Sequence, residues 1–271
     1  MRAKPILWIF NRVALNGCLI LMLENFPRPI LLAHRGDLAH APENTLPSFS
    51  QAIQKGADGV ELDAKLTSDV HVIVIHDPTL NRTTNGSGKV ASFKLDEIRK
   101  LDAGAWFDEK FKGTQVPLLE EVFETVGKDK LINIELTNYS TRNDGLTAKV
   151  CELIKRHNNQ SQIIFSSFFA SNLKIAAQIL PAVPRGLLAM PGLLGLWARS
   201  FGFMFGDYQA LHPYISSTSR EQIQRAHRLK RRVHVWTANT PAEIQQLKEW
   251  GADGLFTDDP ATAVHALGRG G

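Results

Sequence analysis

A closed (β/α)8 barrel, with an insertion after the strand that bears His76, is the fold this sequence predicts, and three observations predict it. Nine short apolar runs, each bounded by turn residues, recur between residues 30 and 256. Most are separated by stretches with apolar residues at helical spacing, the alternation that a parallel sheet with crossover helices requires. The glycine-rich turn of an open, doubly wound nucleotide-binding sheet is missing, because the first run ends in Ala33-His34-Arg35-Gly36-Asp37.

The elements follow in order. Strands are predicted at 30–33, 59–62, 72–75, 131–136, 162–165, 186–189, 210–212, 233–236 and 254–256, and helices at 46–55, 119–126, 146–156, 173–179, 220–229 and 242–250. The stretch from Asp63 to Val72 is too short for the helix of a parallel crossover, so a β-hairpin is predicted there. With Ser68-Asp69 as a two-residue loop, Asp63 would face Val74 and Glu61 would face His76. One hairpin arm reconciles nine runs with eight barrel positions. Residues 77–117 interrupt the alternation with the turn-rich Asn81-Arg82-Thr83-Thr84-Asn85-Gly86-Ser87-Gly88 and a short helical pattern at 95–101, and read as an insertion of the kind used for lids and binding loops. Gly56-Ala57-Asp58-Gly59 and Gly251-Ala252-Asp253-Gly254 echo one another before strands that end in Asp63 and Asp258, which reads as one helix-to-strand turn used twice.

Composition sets the outer limits. With 44% hydrophobic and 21% charged residues in 271, the chain can build a core, and neither collagen-like nor disordered character fits. The domain reading is an N-terminal extension at 1–29, a barrel at 30–264 and a tail at 265–271. Cys18 and Cys151 are too few for a disulfide framework or a four-thiolate zinc site, and suit a reducing compartment. In the extension, Arg2, Lys4 and Arg12 precede an apolar stretch at 13–23 that Asn16 and Gly17 break. A bilayer span needs about 20 apolar residues, so the expectation is a helix that covers one end of the fold or lies on a membrane face. Leu15-Asn16-Gly17-Cys18 loosely resembles a lipoprotein cleavage box, yet the most apolar residues follow the cysteine. A cytoplasmic location is expected, with membrane association or export through this segment as the alternative. The net charge is +4, and Arg225, Arg228, Lys230, Arg231 and Arg232 cluster near His227, read as a solvated helix face running into a strand; no nucleic-acid partner is expected.

Catalytic residues of a parallel barrel project from the C-terminal ends of its strands. Those ends carry His34 and Arg35, Glu61 and Asp63, His76 and Asp77, Glu135, and Trp236. Glu61 and Asp63 lie two apart and so share a face. With Glu135 they form an all-oxygen set whose mutual repulsion calls for a divalent cation, Mg²⁺, Ca²⁺ or Mn²⁺ rather than zinc. Two histidines beside such an ion and an arginine suggest displacement at phosphorus. Arg35 and the cation would hold phosphoryl oxygens while one imidazole deprotonates the nucleophile and the other protonates the departing alkoxide.

At these residues the sequence resembles the glycerophosphodiester phosphodiesterase family. The likeness is carried by Ala33-His34-Arg35-Gly36, Pro42-Glu43-Asn44-Thr45 with Phe49, Glu61-Leu62-Asp63, His76-Asp77, Arg82-Thr83-Thr84-Asn85-Gly86, Leu101-Asp102-Ala103-Gly104, Asn133-Ile134-Glu135-Leu136 and Thr257-Asp258-Asp259-Pro260. The resemblance implies a TIM barrel and metal-dependent hydrolysis of glycerophosphodiesters to glycerol 3-phosphate and an alcohol. It implies His34 and His76 as general acid and base, Arg35 on phosphate, Glu61, Asp63 and Glu135 as metal ligands, and Trp236 on the glycerol side. Asn44-Thr45 is read as structural, with Thr45 as a helix N-cap ahead of Pro47. Many relatives have Lys two residues after the strand-four glutamate, where this chain has Thr137; the site would then use Thr137 as a neutral donor or take a different head group. The family also resembles lysophospholipase D enzymes, so lipid and water-soluble substrates both stay open, with a non-catalytic phosphodiester-binding barrel as the other alternative. The apolar segment 187–205, with Trp197, Phe201, Phe203 and Phe205, is either a helix packed on the barrel or a contact for an acyl chain or a membrane.

Overall fold

In the computed structural model, which describes Leu23 and residues 26–269, β1 (Ile30–Ala33) pairs in parallel with both β2 (Gly59–Leu66) and β9 (Gly254–Thr257), so the sheet closes on itself. Beyond β2 the ring runs through β4 (Leu131–Leu136), β5 (Ile163–Ser167), β6 (Arg185–Ala189), β7 (Ala210–Pro213) and β8 (Arg232–Val235), each parallel to its neighbour. The extra strand β3 (Val72–Val74) pairs antiparallel with β2. The (β/α)8 barrel expected from the alternation is the fold. Its strands read as continuous apolar runs because both faces are covered, one by the barrel interior and one by the outer helices.

Those helices are α1 (Leu46–Gln54), α2 (Leu119–Val126), α3 (Leu146–Arg156), α4 (Ala170–Ile179), α5 (Arg220–Arg228), α6 (Pro241–Trp250) and α7 (Pro260–Ala266). Their starts follow local chemistry. At α6, Thr240 accepts from the Glu243 amide while the Glu243 carboxylate accepts from the Thr240 amide, and Pro241 fills the first turn. Thr45 occupies the N-cap of α1 as expected, but its hydroxyl donates to the Pro42 carbonyl instead of capping the helix. The repeated Gly-Ala-Asp-Gly turn is one device used twice. Gly56 and Gly251 end their helices with φ of +90° and +83°, and Asp58 and Asp253 then accept from the backbone amides of Leu31 and Val233 on the adjacent strands.

The hairpin differs from its predicted register by one residue. Ala64 pairs with Val74 and Leu66 with Val72, so Asp63 lies opposite Ile75, whose amide it accepts, and Glu61 does not face His76. The cause is a three-residue loop, Ser68-Asp69-Val70, closed by the Thr67 amide on the His71 carbonyl, with Val70 at a φ of +64°. β-branched residues rarely take that conformation, and nothing in the local sequence signals it. Residues 77–117 pack on a small core of their own around Ile75, Leu80, Val90, Ile98 and Val116. Among the described residues no helix is long and apolar enough to cross a membrane. Apart from Leu23, the apolar stretch at 13–23 lies outside the described residues, as does the lipoprotein-like box.

Candidate active site

The C-terminal ends of the strands surround a pocket lined by His34, Arg35, Glu61, His76, Asn133, Glu135, Ser166, Phe168, Leu188, Trp236 and Phe256. Six of the seven residues singled out from sequence are therefore on its wall. Asp63 lies just behind it, with carboxylate oxygens of Glu61, Asp63 and Glu135 all within 4.8 Å of one another.

The two imidazoles are mounted alike. His34, just past β1, places Nδ1 2.7 Å from Oδ1 of Asp258, just past β9, and His76, just past the hairpin arm, places Nδ1 2.7 Å from Oδ1 of Asp77. A carboxylate accepts, so each Nδ1 carries its proton outward to the acid and leaves Nε2 for chemistry on a ring that lines the pocket. Each acid is tied in turn. Asn239 donates to Asp258 and accepts from its amide, and Arg82 grips Asp77 through Nε and Nη2. Burial raises the pKa of Asp258, but His34, Asn239 and Arg35 together outweigh it and hold the group below the usual carboxylate range. Asp77 is held low by the Arg82 hydrogen bond first, then by His76.

The three acids of the cluster are not equivalent. Burial, then the charges of Asp63 and Glu135, push Glu61 well above its ordinary range. Burial and the Asp63 charge push Glu135 up to about 8, although Tyr139 donates to its Oε1 at 2.8 Å. Asp63 is buried too, yet Arg35, His76 and the Asn44 amide hold it low. One ionised carboxylate beside two that resist ionisation is what crowded negative charge produces when Arg35 offsets only part of it. An all-oxygen trio of this kind fits a hard divalent cation.

Arg35 sits among these acids. Its amide donates to Glu61 at 3.0 Å, Nη1 donates to Glu43 at 2.9 Å, and Nε lies 3.4 Å from Asp63, an ion-pair contact longer than a good hydrogen bond. Burial works against its charge, but Asp63, Glu43 and Glu61 more than restore it. Glu43 also takes a two-pronged contact from Arg82, which ties Arg35 to the support of His76. Trp236 lines the opposite wall, its indole N–H on the His212 carbonyl and its ring edge-on to Phe168 and Tyr214.

Two sequence readings need correction. Asn44 is a site residue as well as a structural one: at a φ of +56°, its Nδ2 donates to Asp63 at 2.8 Å and its Oδ1 accepts from the Asp63 amide. Thr137 offers no hydroxyl to a substrate. Its Oγ1 donates to the Ala64 carbonyl and accepts from Nζ of Lys65, which reaches this position from β2. Asp258, Asn239, Glu43 and Tyr139 were not identified as site residues. Asp258 carries a signal, the acid that ends the last strand within Thr257-Asp258-Asp259-Pro260, but nothing in the sequence assigns it a role.

Residues 34–262 match the glycerophosphoryl diester phosphodiesterase family. A glycerophosphodiester phosphodiesterase of Caldanaerobacter subterraneus is 38% identical over 245 residues, which span 90% of this chain and 100% of that protein. Another from Bacillus subtilis is 33% identical over 255 residues, covering 86% of this chain and 84% of the relative. Among solved structures, an Oleispira antarctica phosphodiesterase in complex with the product sn-glycerol-3-phosphate superposes with a TM-score of 0.82 at 29% identity, covering 91% of this chain and 99% of that one.

Proposed function

The chain belongs to the glycerophosphoryl diester phosphodiesterase family and is a phosphoric diester hydrolase; from that premise we propose that it hydrolyses glycerophosphodiesters to sn-glycerol 3-phosphate and an alcohol, using a divalent cation held by Glu61, Asp63 and Glu135. The observation that carries the reading is the pair of imidazoles, each with Nδ1 fixed by its own carboxylate, on the walls of one pocket with the acidic trio.

Arg35 binds an anionic phosphoryl oxygen, its charge secured by the acids around it. One imidazole takes a proton from the attacking water as the new P–O bond forms. The other gives a proton to the alkoxide oxygen as its bond to phosphorus breaks, so the proton count closes over one turnover. When bound, Mg²⁺, Ca²⁺ or Mn²⁺ supplies positive charge to the phosphoryl oxygens as negative charge builds on them. Trp236 and Phe168 give the organic substituent an apolar wall. The proposed partner is thus a small phosphodiester. Two cysteines are too few for a disulfide framework and suit a reducing compartment, and the proposed location is cytoplasmic.

Release of glycerol 3-phosphate from several water-soluble glycerophosphodiesters, with and without EDTA, tests the proposal. Metal-dependent release is expected, and chelator-stripped protein that turns over at the full rate would overturn the role of the acids. A second reading, hydrolysis of lysophospholipids, is favoured by the exposed apolar crossover between β6 and β7.

A further inference from the structure

The crossover from β6 to β7 is the least barrel-like part of the wall. In place of one packed helix it forms the helical turns Gly192–Gly195, Ala198–Gly202 and Phe203–Phe205. Phe203 packs into the core, but the other large side chains face outward: Leu193 is 86% exposed, Leu194 84%, Phe205 78%, Phe201 66% and Trp197 57%. Phe201 and Phe205 stack on one another with centroids 6.3 Å apart, outside the core. The segment is not slack. Arg199 donates to the Met190 and Gly192 carbonyls, and Arg231 donates to Phe203 and Gly206 with its guanidinium over the Phe203 ring. A fixed apolar surface this dense is a contact surface for something.

Charge identifies the occupant. No acidic residue occurs between Ala189 and Gly206, and the neighbouring surface of α5 and its C-terminal turn exposes Arg225, Arg228 and Lys230. Arg225 and Leu229 lie beside Phe203 and Met204. The nearest acids in sequence are Glu221, at the start of α5, and Asp207, which pairs with Arg185. Apolar side chains with a tryptophan, bordered by arginine and lysine, match a bilayer interface that carries negative headgroups. A second copy docked on the same face would bring two basic borders together. The first 22 residues, with Arg2, Lys4 and Arg12 and no acid, would add like charge as well.

We infer that the β6–β7 crossover, with the basic border of α5, docks this enzyme on anionic phospholipid membranes. The segment leaves β6 at the end of the barrel where Leu188 lines the catalytic pocket. It then runs down the side of the barrel to the start of β7, beside the C-terminal turn of α5, so docking lays this flank of the enzyme on the bilayer.

Flotation of the full chain with vesicles of phosphatidylcholine, alone or mixed with phosphatidylglycerol, tests the docking directly. Binding is expected only with phosphatidylglycerol. Phe201→Ser/Phe205→Ser and Arg225→Glu/Arg228→Glu are each expected to weaken it by at least about 10-fold. All variants should hydrolyse a water-soluble glycerophosphodiester at the wild-type rate, which also shows that they fold. Wild-type affinity in both variants would assign binding to the first 22 residues and overturn the inference. Equal affinity for neutral vesicles would overturn the charge argument, and a dimer in sedimentation that Phe201→Ser/Phe205→Ser dissolves would make a second copy the occupant. Loss of hydrolysis in wild type would sink the catalytic reading and leave the flotation result intact.

Discussion

Two pairs of histidines sit on or just past strands of the same barrel and do opposite things. His34 and His76, at the rim, each have a carboxylate 2.7 Å from Nδ1 and a ring open to the pocket. His212 and His234, on β7 and β8, are fully buried, stack with centroids 5.0 Å apart, and among the described residues have no hydrogen-bond partner on any ring nitrogen. Burial takes His212 down to about 3 and, with the charge of its neighbours, holds His234 well below the ordinary imidazole range. The residue type is the same, but only the rim pair has a fixed tautomer and room for a proton to come and go. An acid–base histidine is made by its partner and its access to solvent.

The sharpest way to break this contrast is to delete the rim rings. His34→Ala and His76→Ala should each lower kcat by at least ~100-fold, the range for removing a general acid or base, with thermal unfolding close to wild type. A near-normal rate in either variant would remove that imidazole from the mechanism. The carboxylates behind the rings come next. Asp258→Asn can still meet Nδ1 but no longer favours its protonation, so a loss on the order of 10-fold is expected, appearing in kcat and in the pH profile rather than in KM. A change confined to KM would make Asp258 a substrate contact. Trp236→Ala, on the apolar wall, should raise KM by a few fold at nearly constant kcat, since it touches the substituent and not the proton path.

How much of this was legible beforehand depends on distance along the chain. The barrel is readable because strands covered on both faces are mostly apolar, and the acidic trio because Glu61, Asp63 and Glu135 are carboxylates set within such strands. Hidden were features that only ring closure creates. Asp258 meets His34 across 224 residues of sequence because β9 closes against β1. Asn44 was read as part of a helix start, and only its left-handed backbone turns it toward Asp63, 19 residues on. The hairpin register failed at Val70 for the same reason: a β-branched side chain gives no local sign of positive φ.

The core pair sharpens the comparison from the other side, through stability instead of rate. In the unfolded chain an imidazole takes up a proton near pH 6.5, whereas folded His212 resists until about 3. Below pH 6.5 the unfolded state therefore binds more protons, and stability falls as the pH drops toward 3. Tm measured from pH 7 to pH 4 should decline, and His212→Leu, close in volume and unable to titrate, should flatten part of that decline while kcat at pH 7 stays within about 2-fold of wild type. If His212→Leu instead lost activity as steeply as His34→Ala, the core ring would belong to the proton path, and the division between rim and core histidines would have to be redrawn.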